Sequence, residues 1–314
     1  MTSRRLFYCD HHEIPLPEGH KFPIGKYKLL RDLLMADGFF RLEPSTPADP
    51  ETVRLAHDAA YVAQFLEGTL PEAMMRRIGF PWSQGLVRRT LASAGGTLGA
   101  TEDALASGLG GTLAGGTHHA FRCEGSGFCV FNDVAIAIHS MRFKGGLRRA
   151  AVVDLDVHQG DGTAHFFEQD PDVLTLSLHG ANNFPFRKQR SKIDVELPDH
   201  TGDEEYLRKL DAVLPRVFEF GPDMVFYLSG VDALSSDSIG RLAMTQAGLK
   251  ERDRRVISIC HARGVPLVIT LGGGYSKPIE LTAEAHANTF RVAGEADLPR
   301  TGRGLRSEDL SDEQ

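Results

Sequence analysis

No apolar run in this 314-residue sequence is long enough to cross a bilayer, which takes about 20 residues. The longest runs, such as 265–271, have the length of a strand. Arg4 and Arg5 near the start are followed by no extended apolar stretch, so no signal peptide is expected. Cysteine is scarce. Cys9, Cys123, Cys129 and Cys260 form no C-x-x-C pair and no disulfide-framework spacing, which points to a reducing, cytoplasmic setting. Positive charge is not in excess either. The 35 Lys and Arg against 42 Asp and Glu leave a net charge of −7, which excludes a broad electrostatic surface for nucleic acid. A basic peptide or a polyamine is compatible with that mild acidity, but nothing in it indicates one. No run of proline, serine or charge divides the chain. One catalytic domain is therefore expected over 1–299, with a polar, frayed tail over 300–314.

What is present is a set of short β-branched or aliphatic runs at 151–156, 173–179, 224–229 and 265–271. Helical periodicity separates them. Leu207, Leu210, Val213, Leu214 and Val217 recur at helical spacing within 203–220, and Gly221 and Pro222 stop that helix. A second helix is expected over 242–263, ending at Gly264. Strand, helix, strand in repetition predicts an α/β fold: a single-domain, open, mostly parallel sheet with helices on both faces. A near repeat, 91–98 and 105–113, is rich in glycine and alanine. Its glycines do not follow a convincing strand in a phosphate-loop pattern, so it reads as small residues for close helix packing, then a turn.

The strongest chemical signal is the alternation Asp154, Asp156, His158 at the end of an apolar strand. Residues two apart share a face of a strand, so these three would point together at the carboxyl edge of the sheet, where open parallel sheets bind ligands. Buried carboxylates need compensation, and Asp with His but no Cys suits catalytic zinc or iron. A further acid, Asp232, lies beyond Gly230 at the end of the 224–229 run. Asp156, His158 and Asp232 would leave a coordination position open for water and substrate; as a helix N-cap, Asp232 would have no such role. His118 and His119 follow two glycines and a threonine. Taken singly such a pair is often incidental, but Asp154 and Asp161 could each orient one imidazole for acid–base work. Gly272, Gly273 and Gly274 precede Tyr275 at the end of the last strong strand. Either the tyrosine projects into the site to donate to an oxyanion, or the segment is a plain turn with a packed aromatic.

Five ordered motifs now stand together: His118–His119 with its glycines; Gly127, Phe128, Cys129, Asn132 and Asp133; Asp154 to Asp161; Gly230 to Asp232; and Gly272 to Tyr275. Together they resemble the arginase–deacetylase superfamily, and within it the zinc-dependent histone deacetylase family, over about 7–292. The resemblance implies hydrolysis of the amide bond of an N-acyl-lysine in a protein or peptide, or of a small acylated amine such as an acetylpolyamine. A non-catalytic acyl-lysine binding module is the rival from another class. The resemblance further implies zinc, with iron(II) as the alternative, on Asp156, His158 and Asp232. Asp154 and Asp161 would back His118 and His119 respectively, and Tyr275 would be the transition-state hydroxyl. Gly127, Phe128, Phe184 and Gly273 would line the acyl channel. A structural potassium or sodium ion would take Asp154, Asp156, His158, Ser177 and Leu178, and a remoter one would lie near Phe167, Asp170 and Val173. Gln159 after His158, the 183–188 segment and the 17–23 segment are similar to the class IV branch, prokaryotic members above all. No long inserted loop precedes the histidine pair, unlike in acetylpolyamine deacetylases, and the extra ligands of the two-manganese arginases are not evident.

Overall fold

The β-branched runs form the centre of one parallel sheet. The computed structural model describes residues 4–296, so the tail expected after Pro299 lies outside the described residues. The strands are β1 (Arg5–Tyr8), β2 (Arg41–Pro44), β3 (Leu109–Thr112), β4 (Ala150–Asp154), β5 (Val173–Gly180), β6 (Ile193–Leu197), β7 (Met224–Leu228) and β8 (Leu267–Thr270). They lie in the order β2-β1-β3-β8-β7-β4-β5-β6, and each pairing is parallel. Helices connect and cover them: α1 (Lys26–Asp37), α2 (Pro50–Arg54), α3 (Ala59–Glu67), α4 (Glu72–Ile78), α5 (Gln84–Ser107), α6 (Asp133–Phe143), α7 (Asp161–Phe167), α8 (Asp203–Glu219), α9 (Gln246–Arg263) and α10 (Glu280–Glu295). Among the described residues no helix is long and apolar enough to cross a membrane.

Strand periodicity explains why both faces are covered. On β4, Ala151 and Val153 enter one apolar core while Ala150 and Val152 enter the other; on β7, Val225 and Tyr227 alternate in the same way with Met224, Phe226 and Leu228. These side chains are all essentially inaccessible to water, and each fully buried valine or leucine contributes about 1.5–3 kcal/mol.

Two boundaries differ from the sequence reading. β4 ends at Asp154, so Asp156 and His158 lie past the strand in a turn. There the Asp154 carboxylate accepts from the Asp156 N–H (3.1 Å) and the Asp156 carboxylate from the His158 N–H (2.9 Å), bonds that replace the ladder. Helix α9 begins at Gln246 rather than at 242, because Thr245 caps it by accepting from the Gly248 N–H at 3.0 Å. The segment before it bridges to Leu234 through Met244. The near repeat is divided between α5 and β3, and its glycines permit close packing. A Cβ on Gly95 would stand 1.8 Å from the Thr46 carbonyl oxygen, and one on Gly110 1.8 Å from that of Ala100.

Parallel pairing aims every strand the same way. The carboxyl ends of β3, β8, β7, β4 and β5, five neighbours in the sheet, therefore open at one edge, and the loops that leave them carry the chemistry-bearing residues.

Candidate metal and catalytic site

Asp156 and His158 leave the end of β4, and Asp232 follows β7. Their ligand atoms lie within 4.8 Å of one another, the one such cluster of three among the described residues. His158 Nδ1 stands 2.9 Å from Asp156 Oδ1 and 3.1 Å from Asp232 Oδ2. Asp232 caps no helix; its other oxygen accepts from the Val157 N–H at 2.8 Å, which locks the β4 and β7 loops together. Burial and the charge of Asp156 push the Asp232 carboxyl up to about 7, the cost of two acids sharing a dry site. Burial also disfavours the Asp156 anion, but His118 and His158 outweigh it and hold this carboxyl well below its usual range. Two buried carboxylates converging on one imidazole are a donor set that a divalent cation fits.

The glycines at the end of β8 are dictated by those acids. A Cβ on Gly273 would fall 1.8 Å from Asp232 Oδ2, and one on Gly272 2.7 Å from Asp156 Oδ2. The Gly273 N–H instead donates to Asp156 Oδ2 at 2.6 Å. The segment turns tightly and brings Tyr275 to the cavity wall.

The histidine pair follows β3, its loop held by Asp133. That carboxylate accepts from the N–H groups of Gly116 (3.1 Å) and Thr117 (2.8 Å). His118 Nδ1 donates to Asp154 at 2.7 Å and His119 Nδ1 to Asp161 at 2.6 Å, the two carboxylate partners that the sequence reading assigned. The rings are 4.1 Å apart but their charges diverge. Burial works against the His118 imidazolium, yet Asp154 and Asp156 overcome it and raise the group to about 9. Burial and the neighbouring His118 charge hold His119 down at about 4.

A cavity of about 580 Å³ leads from these groups to the surface. Gly127, Phe128, Phe184 and Gly273 line it, as expected of a channel. Phe184 packs edge-on to His119 at 4.9 Å, and Phe128 tilts toward Tyr275 at 6.4 Å. Phe128 has φ +65°, an uncommon conformation for a bulky residue, and a Cβ on Gly127 would stand 2.6 Å from the His119 ring.

Of the residues expected at a monovalent ion, Asp154 and Ser177 are register partners on β4 and β5, with Leu178 next in line. The Ser177 hydroxyl bonds His179 Nδ1 at 2.9 Å. The Asp170 carboxylate pairs with Arg142 at 2.5 Å.

Two residues at the site escaped the sequence reading. Lys26, the first residue of α1, is 2 % exposed; its ammonium donates to the Gly272 carbonyl at 3.0 Å and lies 5.5 Å from the centre of the Tyr275 ring. Burial lowers it to about 8. Asp237 grips the backbone of Tyr275: its Oδ2 accepts from the Tyr275 N–H at 2.6 Å, while Oδ1 accepts from Ile239 and Gly240 at 2.9 Å each. The Ser238 hydroxyl donates to the Tyr275 carbonyl at 2.7 Å.

Known proteins bear on this geometry. The histone deacetylase domain model matches residues 20–292. An uncharacterized protein of Picosynechococcus sp. is 45 % identical over 293 residues, covering 92 % of this chain and 97 % of that one. Histone deacetylase 2 of Arabidopsis thaliana is 30 % identical over 273 residues, 82 % of this chain and 70 % of that one. The crystal structure of the HDA15 HD domain shares the fold with a TM-score of 0.77 at 23 % identity, covering 96 % of this chain and 91 % of that one. The chain belongs to the histone deacetylase domain family.

Proposed function

We propose that this protein hydrolyses the amide bond of an N-acylated amine, N-acyl-lysine first, with zinc held by Asp156, His158 and Asp232. The observation that carries the reading is a buried Asp-His-Asp cluster at the base of an open cavity, beside two adjacent histidines that each bond their own carboxylate through Nδ1. Oxygen and nitrogen donors without sulfur favour zinc, with iron(II) the alternative. When bound, the cation supplies Lewis acidity, polarising the acyl carbonyl and lowering the pKa of a water toward neutrality.

The chain's own groups do the rest. His119, neutral and with Nδ1 committed to Asp161, presents Nε2 to take a proton from the attacking water, and later returns it to the leaving amine. His118, its Nδ1 bonded to Asp154, is placed to stabilise negative charge as it develops. The Tyr275 hydroxyl donates to the oxyanion; burial pushes its pKa well up, so it stays a donor. Phe128 and Phe184 wall the channel against water along the aliphatic stem of the substrate. Asp154, Asp156, His158, Ser177 and Leu178, partly through backbone oxygens, form the monovalent-ion site of this reading. The free cysteines fit a reducing, cytoplasmic setting, and Gln159 after His158 fits a class IV-like member.

Asp156→Asn tests the reading. Bound metal falls below one per chain and acyl release is lost. A variant that loses its metal yet holds acyl-lysine peptide with unchanged affinity would instead mark a binding module.

A further inference from the structure

The chain is acidic overall, with a net charge of −7, but the mouth of the cavity is not. Among the described residues lining the cavity, the lysine and arginines are Lys26, Arg77 and Arg241, and the sole carboxylate is Asp156 at its base. Arg77 and Arg241 stand at the rim, their side chains 54 % and 55 % exposed. Glu124 pairs with Arg77 at 2.7 Å and Asp199 with Arg241 at 3.3 Å, but neither acid lines the cavity, so each pair turns its positive end inward.

The rim is built rather than incidental. Buried Asn183 ties its two loops together, donating to the Ile239 carbonyl at 3.0 Å and accepting from the Arg241 N–H at 3.3 Å. The Lys188 ammonium donates to the carbonyls of Asn183 and Pro185. Held this way, the loop presents Phe186, 85 % exposed, at the cavity mouth, and exposed Arg187 and Arg190 follow it in the chain. Ile239, 43 % exposed, adds further apolar surface to the cavity lining. A mouth that turns arginines and bare apolar surface inward, its acids held behind them in pairs and exposed Arg187 and Arg190 following, suits a ligand whose outer part is anionic. It opposes one carrying further cations.

We infer that the acylated amine taken here carries a carboxylate on the part that remains outside the channel: an acyl-lysine with acidic neighbours in a protein, or a small N-acylated amino acid. Acetylpolyamines and lysine-rich tails are disfavoured. This rests on the proposed amide hydrolysis and specifies its substrate class.

The test compares kcat/KM of the zinc-loaded protein on acetyl-lysine peptides flanked by Asp, Ala or Lys. Nα-acetyl-Nε-acetyl-lysine with a free carboxylate, its methyl ester, and an acetylpolyamine form the small-molecule arm. Each new arginine–carboxylate contact is worth about two- to five-fold. The Asp-flanked peptide should therefore exceed the Ala-flanked one, and that the Lys-flanked one, by such factors. The spread should shrink in 0.5 M salt, where screening reaches about 3–5 Å. Arg241→Glu should remove or reverse the ranking; Arg187→Glu with Arg190→Glu gives an independent reversal if the first variant folds poorly. Preference for the free acid over the ester, without preference among peptides, assigns the small substrate. Turnover of all substrates without discrimination, or fastest on the Lys-flanked peptide or the polyamine, overturns the inference and leaves the hydrolase reading standing. No acyl release from any of them overturns both.

Discussion

Asp237→Asn isolates how the proposed oxyanion donor is held. The carboxylate spends one oxygen on the Tyr275 N–H and the other on the N–H groups of Ile239 and Gly240. An asparagine of the same shape keeps one acceptor. If that oxygen stays with the two donors, its NH2 faces the Tyr275 N–H at the old 2.6 Å contact, two donors opposed. Losing such a bond and stranding its donor costs about 1–3 kcal/mol, which shifting Tyr275 relieves. The ceiling on the catalytic effect is loss of the hydroxyl itself, about 10²–10³ in kcat. Asp237→Asn is therefore expected to lower kcat by about 10- to 100-fold with KM changed much less. The decisive assay is a double-mutant cycle with Tyr275→Phe. In the Phe background there is no hydroxyl left to misplace, so Asp237→Asn should cost less than about three-fold more. If the two losses multiply in full while metal content is normal, Asp237 does not act through Tyr275 and the reasoning fails.

Two further outcomes concern pH. His119 must be neutral to accept a proton, and burial with the His118 charge holds it at about 4; a cation at Asp156, His158 and Asp232 pushes it the same way. The acid limb of kcat/KM should thus fall below pH 6, and a limb at the ordinary histidine value of about 6.5 counts against His119 as the base. Stability has its own dependence through His57, buried with Nε2 accepting from the Asn132 N–H at 2.9 Å and burial lowering it to about 4. Its folded value lies below its unfolded one, so this contribution is complete above about pH 6.5 and is lost as pH falls toward 4. About 3 kcal/mol is at stake, and His57→Gln should flatten that part of the urea-denaturation profile; an unchanged slope between pH 7 and 4.5 argues that His57 does not titrate as described.

The parts of the site legible in the sequence are those whose neighbours are local or whose order is distinctive. The apolar runs marked β4, β5, β7 and β8 because strands buried on both faces need continuous β-branched stretches. The pairings of His118 with Asp154 and His119 with Asp161 are drawn correctly from the motif, although they span 36 and 42 residues. Strand alternation accounts for Asp154 but not for the placement of Asp156 and His158, which lie past the end of β4. They converge through a side-chain-bonded turn after β4, not by strand alternation, and such turns compete with the ladder in ways that periodicity does not register. Lys26 is illegible because the carbonyl that receives its ammonium belongs to Gly272, 246 residues away. Asp237 sits among serines that look like loop, and only its long-range bond to Tyr275 gives it a role. Glycines 272 and 273 fit both a turn and a close approach, and only the Asp156 and Asp232 carboxylates beneath them reveal the need.

Acyl release from acetyl- to myristoyl-lysine peptides by the zinc-loaded protein, beside a chelated control, tests the central claim most directly. Turnover abolished by chelation and restored by zinc is the predicted result, with the best chain length reporting the depth of the channel. Release that persists at full rate with metal content below one-tenth per chain, or no release from any peptide with zinc fully bound, would contradict it.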